Sequence, residues 1–156
     1  MICTIISDGT ELYGKCRNEY EKPYAEIKKR LREKLWELFT SGFDTFYVNC
    51  EYGIPLWSAE IICAMKMYNP VKLNIAIPYE EQAANWCEEH RDRYFNVHAE
   101  AYKAVTVSKQ YSAECREAAD VFMLCQSDAL AIRSTKKNNL FAERYAKQKG
   151  IPIIYL

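Results

Sequence analysis

A chain of 156 residues can bury a core large enough to fold alone, and one domain over residues 1–156 is expected. Its 21 basic residues balance 21 acidic ones, so no overall field draws it to nucleic acid or to an anionic membrane, and neither is expected as a partner. No apolar run approaches the roughly twenty residues that span a bilayer, and Met1-Ile2-Cys3-Thr4 lacks a basic signal-peptide start, so the expected location is the cytoplasm.

In chain order, Ile2 to Ile6 is a short apolar run with strand character, followed by the loop Ser7 to Gly14. Ile27, Leu31, Leu35 and Leu38 recur at helical spacing, which predicts a helix from Pro23 to Ser41 that closes on Gly42. The charges of "EIKKRLREKLWEL" form its solvated face. Thr45 to Val48 predicts a second strand, Asn49 to Gly53 its loop, and Pro55 to Tyr68 a helix halted before Pro70. Leu73 to Ile77 follows as a strand, and Pro78 to Gln82 leads into a helical stretch, Glu80 to Ala101. Ala104 to Val107, the loop Ser108 to Ser112 and a helix from Ser112 to Gln126 come next. The chain ends with the strand Ala129 to Ile132, the loop Arg133 to Asn139, a helix from Asn139 to Lys149 with Asn139 as N-cap and Gly150 beyond its end, and the strand Pro152 to Tyr155.

Apolar strands alternating with helices imply an α/β, Rossmann-like three-layer sandwich, with a mainly parallel sheet and helices on both faces. In such a sheet ligands bind in the crevice beyond the carboxyl ends of the strands, so Asn49 to Gly53 and Pro78 to Gln82 should open on the same edge.

Seven cysteines without a CxxC pair or finger spacing read as reduced thiols, and Cys3, Cys63 and Cys125, with apolar neighbours, as core residues. Cys50, at a strand end and near a helix start, has the position of a depressed-pKa thiol, but Glu51 beside it disfavours a thiolate; the plainer reading is a loop residue. His90 and His98 do not gather with the neighbouring acids on one tetrahedral site, so no metal is expected. Glu60 is the one charged residue between Gly53 and Met65, on a helix apolar nearly all round. A carboxylate buried there must be hydrogen-bonded, paired or protonated: it is either a ligand contact facing the crevice or a structural group tied to a donor or basic partner. Twelve tyrosines are many for this length, and Tyr13, Tyr20, Tyr24, Tyr52, Tyr79, Tyr94 and Tyr111 fall mostly at or near loops. They suit either a stacking pocket for a ring or a packing or dimer surface.

"YVNCEYGIPLWSAE", "LNIAIPYEEQAANWCEEHRDRY" and "AERYAKQKGIPIIYL" resemble the YpsA-like branch of the SLOG superfamily, Rossmann-like domains related to DprA and to lysine-decarboxylase-like phosphoribohydrolases. The resemblance implies a ligand derived from a nucleotide, with no cofactor specified. It points to Asp8, Gly9, Asn49, Cys50, Gly53, Trp57, Glu60, Pro78 and Lys137 as ligand-binding positions. Members usually carry Gly-His-Arg after the first strand, where this chain has Asp8-Gly9-Thr10, and Ser-Gly after the second, where it has Asn49-Cys50. Gly53, Trp57, Ala59 and Glu60 match the family pattern, whereas Lys137-Asn138-Asn139 stands in place of Gly-Gly-Thr and Ala119-Asp120 near the lost Arg-Asn. A side chain in place of a phosphate-loop glycine obstructs the approach of backbone N–H groups to an anion, and losing arginine and histidine removes charge-assisted donors.

The expected function is therefore that of a small-ligand-binding domain whose phosphate-binding signature is degraded. A phosphoribohydrolase-type enzyme on nucleotides is the alternative, although no Pro-Gly-Gly-x-Gly-Thr-x-x-Glu stretch occurs. An interaction protein that kept only the fold, as a homodimer, is a third reading.

Overall fold

The computed structural model describes residues 1–9, 19, 21–134 and 140–156. Eleven elements alternate along them: β1 (Ile2–Ser7), α1 (Lys22–Thr40), β2 (Thr45–Val48), α2 (Ile54–Lys66), β3 (Lys72–Tyr79), α3 (Glu88–Glu100), β4 (Lys103–Ser108), α4 (Cys115–Leu124), β5 (Ala129–Arg133), α5 (Phe141–Lys149) and β6 (Ile153–Tyr155). The strands form one sheet in the order β4-β3-β2-β1-β5-β6, and every neighbouring pair is parallel. This is the α/β, Rossmann-like architecture that the alternation of elements implied.

Side-chain alternation along the strands separates two cores. Cys3, Ile5, Phe46, Val48, Leu73 and Ile75 pack with Leu31 and Leu35 of α1, Leu56 and Ile62 of α2, and Tyr94 and Val97 of α3. Their in-between neighbours Ile6, Tyr47 and Ala76, with Leu130 and Ile132 of β5, pack on the other face against Met123 and Leu124 of α4 and Ala142 and Ala146 of α5. A period of two in the strands thus builds a three-layer sandwich, and each fully buried Leu or Ile contributes about 1.5–3 kcal/mol of transfer free energy.

Chain direction fixes where the crevice lies. From β1 the sheet grows through β2 and β3 to β4 with α1 to α3 on one face, then the chain returns to β5 and grows outward to β6 with α5 on the opposite face. The carboxyl ends of β1 and β5 therefore meet at the switch point, where the Asp8 amide donates to the Arg133 carbonyl at 3.1 Å.

Several boundaries differ from the sequence reading. α3 begins at Glu88 and not at Glu80, because residues 80–86 fold into successive tight turns, with Gln82 N–H to Tyr79, Ala84 N–H to Glu81 and Trp86 N–H to Ala83 at 3.0–3.1 Å. Those turns bury Ala83 and Gln82, which a continuous helix through the loop would carry away from β2. α4 starts at Cys115, after a turn from Ser112. Cys125 is exposed, contrary to its core assignment: it caps α4 beyond the last buried residues Met123 and Leu124, with its sulfur 3.3 Å from the Tyr145 hydroxyl. The Asn139 cap lies outside the described residues. No described helix is long and apolar enough to cross a membrane.

Candidate functional site

The two loops expected on one edge do share it, and they are joined. β2 and β3 run parallel in register, Val48 opposite Ile75, and the Gln82 side-chain amide donates to the Asn49 carbonyl at 3.0 Å. Above them, at the carboxyl ends of four strands, is a cavity of about 470 Å³. β1 contributes Ser7, with Asp8 and Gly9 beyond it; the β2 loop contributes Glu51 and Tyr52. Pro78 and Tyr79 come from β3, with Gln82 and Trp86 from the turns that follow; Tyr111, Ser112 and Arg116 come from the approach to α4 and its first turn.

Four aromatic rings shape this space. Tyr79 and Tyr111 meet edge to face at 5.2 Å between centroids, and Tyr52 and Trp86 do so at 6.5 Å. The charged groups among its described lining residues are Asp8, Glu51 and Arg116, and Arg116 Nε donates to Glu51 Oε1 at 2.6 Å. Under this rim Asp120 of α4 is only 6% exposed, and its Oδ1 has no hydrogen-bond partner among the described residues. Burial pushes its carboxyl up to about 8, with Glu51 adding to the shift and Arg116 opposing it.

Of the candidates named from sequence, Asp8, Gly9 and Pro78 line the cavity, as do Tyr52, Tyr79 and Tyr111 of the tyrosine set. Tyr24 and Tyr94 are buried in the core. Lys137, Tyr13 and Tyr20 lie outside the described residues. Asn49, Cys50 and Gly53 form the wall behind Glu51 and Tyr52 rather than the surface. Asn49 is 2% exposed and Cys50 fully buried; Gly53, at φ 109°, caps α2. Cys50 sits at φ 53°, the one positive φ at a non-glycine position among the described residues. Burial, then the neighbouring Cys63 and Glu60, raises its thiol well above the ordinary value, which disfavours the thiolate.

Trp57 and Glu60 face elsewhere. Both line a separate groove of about 640 Å³ between α1 and α2, with Lys28, Arg32, Trp36 and Tyr68 among its other walls. Glu60 is not sealed in the core as the apolar helix suggested. Its side chain is 33% exposed on the outer stripe of α2, and Arg93 of α3 holds it through two bonds, Nε to Oε1 at 2.6 Å and Nη2 to Oε2 at 2.8 Å. The third guanidinium nitrogen donates to Glu19 at 2.8 Å. Glu19 also accepts from the Tyr52 hydroxyl at 2.5 Å, from Trp57 Nε1 at 3.0 Å and from Lys28. Burial would raise the Glu19 carboxyl, but the bonds from Arg93, Lys28, Tyr52 and Trp57 overcome it and hold the pKa at about 2. The charges of this groove are thus largely spent on one another, whereas the strand-end cavity gathers polar groups and rings from four strands around open space.

Sequence reasoning did not find Glu19, Arg93, Trp86 or Arg116 as site-forming. Arg93 is one of several charges in "CEEHRDRY", and only the packing of α3 on α2 selects it. Arg116 follows Ser112 by one helical turn, a spacing visible in the sequence once the loop after β4 is placed.

Comparison with known proteins agrees with this architecture. The family model YpsA, described as the YspA SLOG family, matches residues 15–149, and the chain belongs to that family. A UPF0398 protein of Bacillus cereus strain B4264 is 31% identical over 130 residues, covering 80% of this chain and 71% of the relative. A UPF0398 protein of Bacillus thuringiensis strain Al Hakam is 30% identical over the same shares. Among solved structures, DNA processing protein A from Helicobacter pylori, described for its single-stranded DNA binding, superposes with a TM-score of 0.63 at 12% identity. The alignment covers 99% of this chain and 64% of that one, so this chain spans less than two thirds of its neighbour, and the likeness is one of fold. It also corrects the exclusion of nucleic acid drawn from net charge: a protein of this fold binds single-stranded DNA, and a balanced total charge says nothing about local distribution.

Proposed function

We propose that this member of the YpsA SLOG family binds a small, ring-bearing molecule derived from a nucleotide in the cavity at the carboxyl ends of β1 to β4. The observation that carries the reading is the convergence of Tyr52, Tyr79, Trp86 and Tyr111 with Asp8, Gln82, Ser112 and Arg116 around about 470 Å³. That volume suits a base with its sugar, the rings offer stacking faces, and the polar groups fix orientation. Its position beyond the strand ends of a parallel sheet is where such folds place ligands.

The test is a thermal-shift and calorimetric screen of purine and pyrimidine ribonucleosides and their 5′-monophosphates, repeated on Tyr111→Ala. The reading expects saturable stabilisation by at least one compound and a loss of tenfold or more in affinity on removing the Tyr111 ring. Equal binding by wild type and variant, or no binding at all, rejects it.

A second reading places unpaired bases of single-stranded nucleic acid on the same rings. Tyr111 is 73% exposed beside Tyr79, which leaves a stacking face open to a chain longer than one nucleotide, and the DNA-binding neighbour has the same fold. A fluorescent oligothymidylate separates the two. Salt-sensitive binding that grows with oligonucleotide length and is lost in Tyr111→Ala favours nucleic acid; binding that stops at the mononucleoside favours the first reading.

A further inference from the structure

We infer that the protein forms a twofold-symmetric homodimer through the outer face of α2. Helices α1, α2 and α3 pack on one face of the sheet, with α2 in the middle touching both neighbours. A helix in such a layer normally turns a charged stripe to water, and one that is apolar all round is covered on every side. α2 is of the second kind. Its inner side is buried in the core, and its outer stripe is Ile61, Ala64 and Tyr68, of which Ala64 and Tyr68 are exposed. The charge on that stripe, Glu60, is already clasped by Arg93. Trp36 of α1, 48% exposed, shares the groove with Ile61, Ala64 and Tyr68. Exposed Trp and Tyr beside an apolar floor make the centre of an interface.

Charge distribution identifies the occupant as a second copy of the chain. On one flank α1 is basic on balance, with six Lys or Arg against three Glu, and on the other α3 is acidic on balance, with four Asp or Glu against two Arg. Each flank holds an exposed charge without an ion pair among the described residues, Arg32 in the groove and Asp92 on α3. A twofold axis through the middle of α2, perpendicular to the helix layer, lays α1 of one copy antiparallel on α3 of the other, and does so twice. Arg93 is bonded to Glu60 and so lies level with it, with Asp92 beside it in the chain, while Arg32 shares the groove with Glu60 and Ile61. An axis near Glu60 therefore sets Arg32 against Asp92 of the second copy, and the small Ala64 lets the two α2 helices approach. Three helices about 10 Å apart and about 20 Å long present roughly 600 Å² in projection and more in accessible surface, the scale of the about 800 Å² per partner that a stable dimer buries. The contact uses none of the residues that line the strand-end cavity, so it stands apart from the ligand reading.

Sedimentation velocity of the full chain from about 1 to about 100 µM tests this, with Ala64→Glu, Arg32→Glu and Asp92→Arg run beside wild type. Wild type is expected to be dimeric at the upper end of that range. Ala64→Glu, at an exposed helix position where glutamate is well tolerated, should stay monomeric while keeping the wild-type circular dichroism spectrum. Arg32→Glu alone and Asp92→Arg alone should each weaken the dimer tenfold or more, because each homodimer then sets like charges together twice. Mixing the two variants should restore association to near the wild-type level, since every facing pair is then opposite in charge. A structural effect of either substitution within its own chain would not be relieved by mixing. A wild type that is monomeric throughout, a dimer indifferent to Ala64→Glu, or charge variants that fail to complement each other overturns the inference.

Discussion

Arg93 holds Glu60 in a two-bond clasp, Nε to Oε1 at 2.6 Å and Nη2 to Oε2 at 2.8 Å, and uses its remaining nitrogen to hold Glu19 at 2.8 Å. One guanidinium thereby ties α2 and α3 to Glu19, three residues before the start of α1, in a geometry that an ammonium cannot reproduce. Arg93→Met, which removes the cation shared by Glu60 and Glu19, is expected to cost about 2–3 kcal/mol, and Arg93→Lys, which keeps the charge but not the three directed bonds, should recover only part of that loss. Glu60→Ala, at a site one-third exposed, should cost only about 1 kcal/mol, and Glu60→Gln less. Urea melts of the four variants test this order, and a Lys variant as stable as wild type contradicts it.

Glu19 gives the acid limb of the stability profile. Its folded pKa of about 2 lies below the ordinary 4.5, so the unfolded chain binds the proton more readily between those values. The stabilisation is fully present above about pH 4.5 and is lost as pH falls towards 2. After allowance for solvent at a partly hydrated site the loss should be about 2 kcal/mol. Glu19→Gln should flatten the profile in that window while lowering stability at pH 7, which chemical denaturation from pH 2 to 7 measures. An unchanged acid limb in the variant contradicts it.

The fold was legible because burial repeats along the chain. Alternation in Ile2–Ser7 and in Lys72–Tyr79 reports which face each side chain takes, and the helical stripe Leu31, Leu35, Leu38 reports a helix on that sheet. Loops carry no such period. Glu80 to Trp86 has helix-forming composition, yet its turns are set by the tertiary bond from Gln82 to Asn49, thirty-three residues away. Glu60 shows the same limit from the other side. Its charge on an apolar helix did signal a paired carboxylate, but the partner sits thirty-three residues on and became identifiable only once α3 packed against α2. The aromatic lining was half-legible: tyrosines near loops were conspicuous, but Tyr24 and Tyr94 turned into the core while Tyr52, Tyr79 and Tyr111 turned to the cavity.

Asp120 acts in the opposite sense to Glu19. Its folded pKa of about 8 lies above the ordinary 3.8, so the folded state holds the proton more tightly. Stability should then fall as pH rises from about 4 to about 8, by up to about 1.4 kcal/mol per unit within that window, and level off above it. Asp120→Asn keeps the shape without the ionisation and should be more stable than wild type at pH 8, with the advantage shrinking towards pH 4. Melts across this range decide it; a variant that is less stable at pH 8 would mean that the ionised carboxylate has a favourable partner.

Cys50 combines full burial with a left-handed backbone, and the two features oppose each other on substitution. Glycine relieves a conformational cost of about 1 kcal/mol but gives up the packing of the thiol, so Cys50→Gly should lie within about 1 kcal/mol of wild type. Valine keeps the apolar volume, yet its branched Cβ is poorly tolerated at φ 53°, and Cys50→Val should cost about 2 kcal/mol or more. A Val variant as stable as the Gly variant would show that packing, and not backbone conformation, governs the turn. The native thiol should also resist an aqueous disulfide reagent that labels the exposed Cys87 and Cys125 quickly, because its reaction waits on an opening that exposes the β2 loop. Labelling of Cys50 as fast as Cys87, followed by peptide mass analysis, would show that the turn opens far more often than its burial allows.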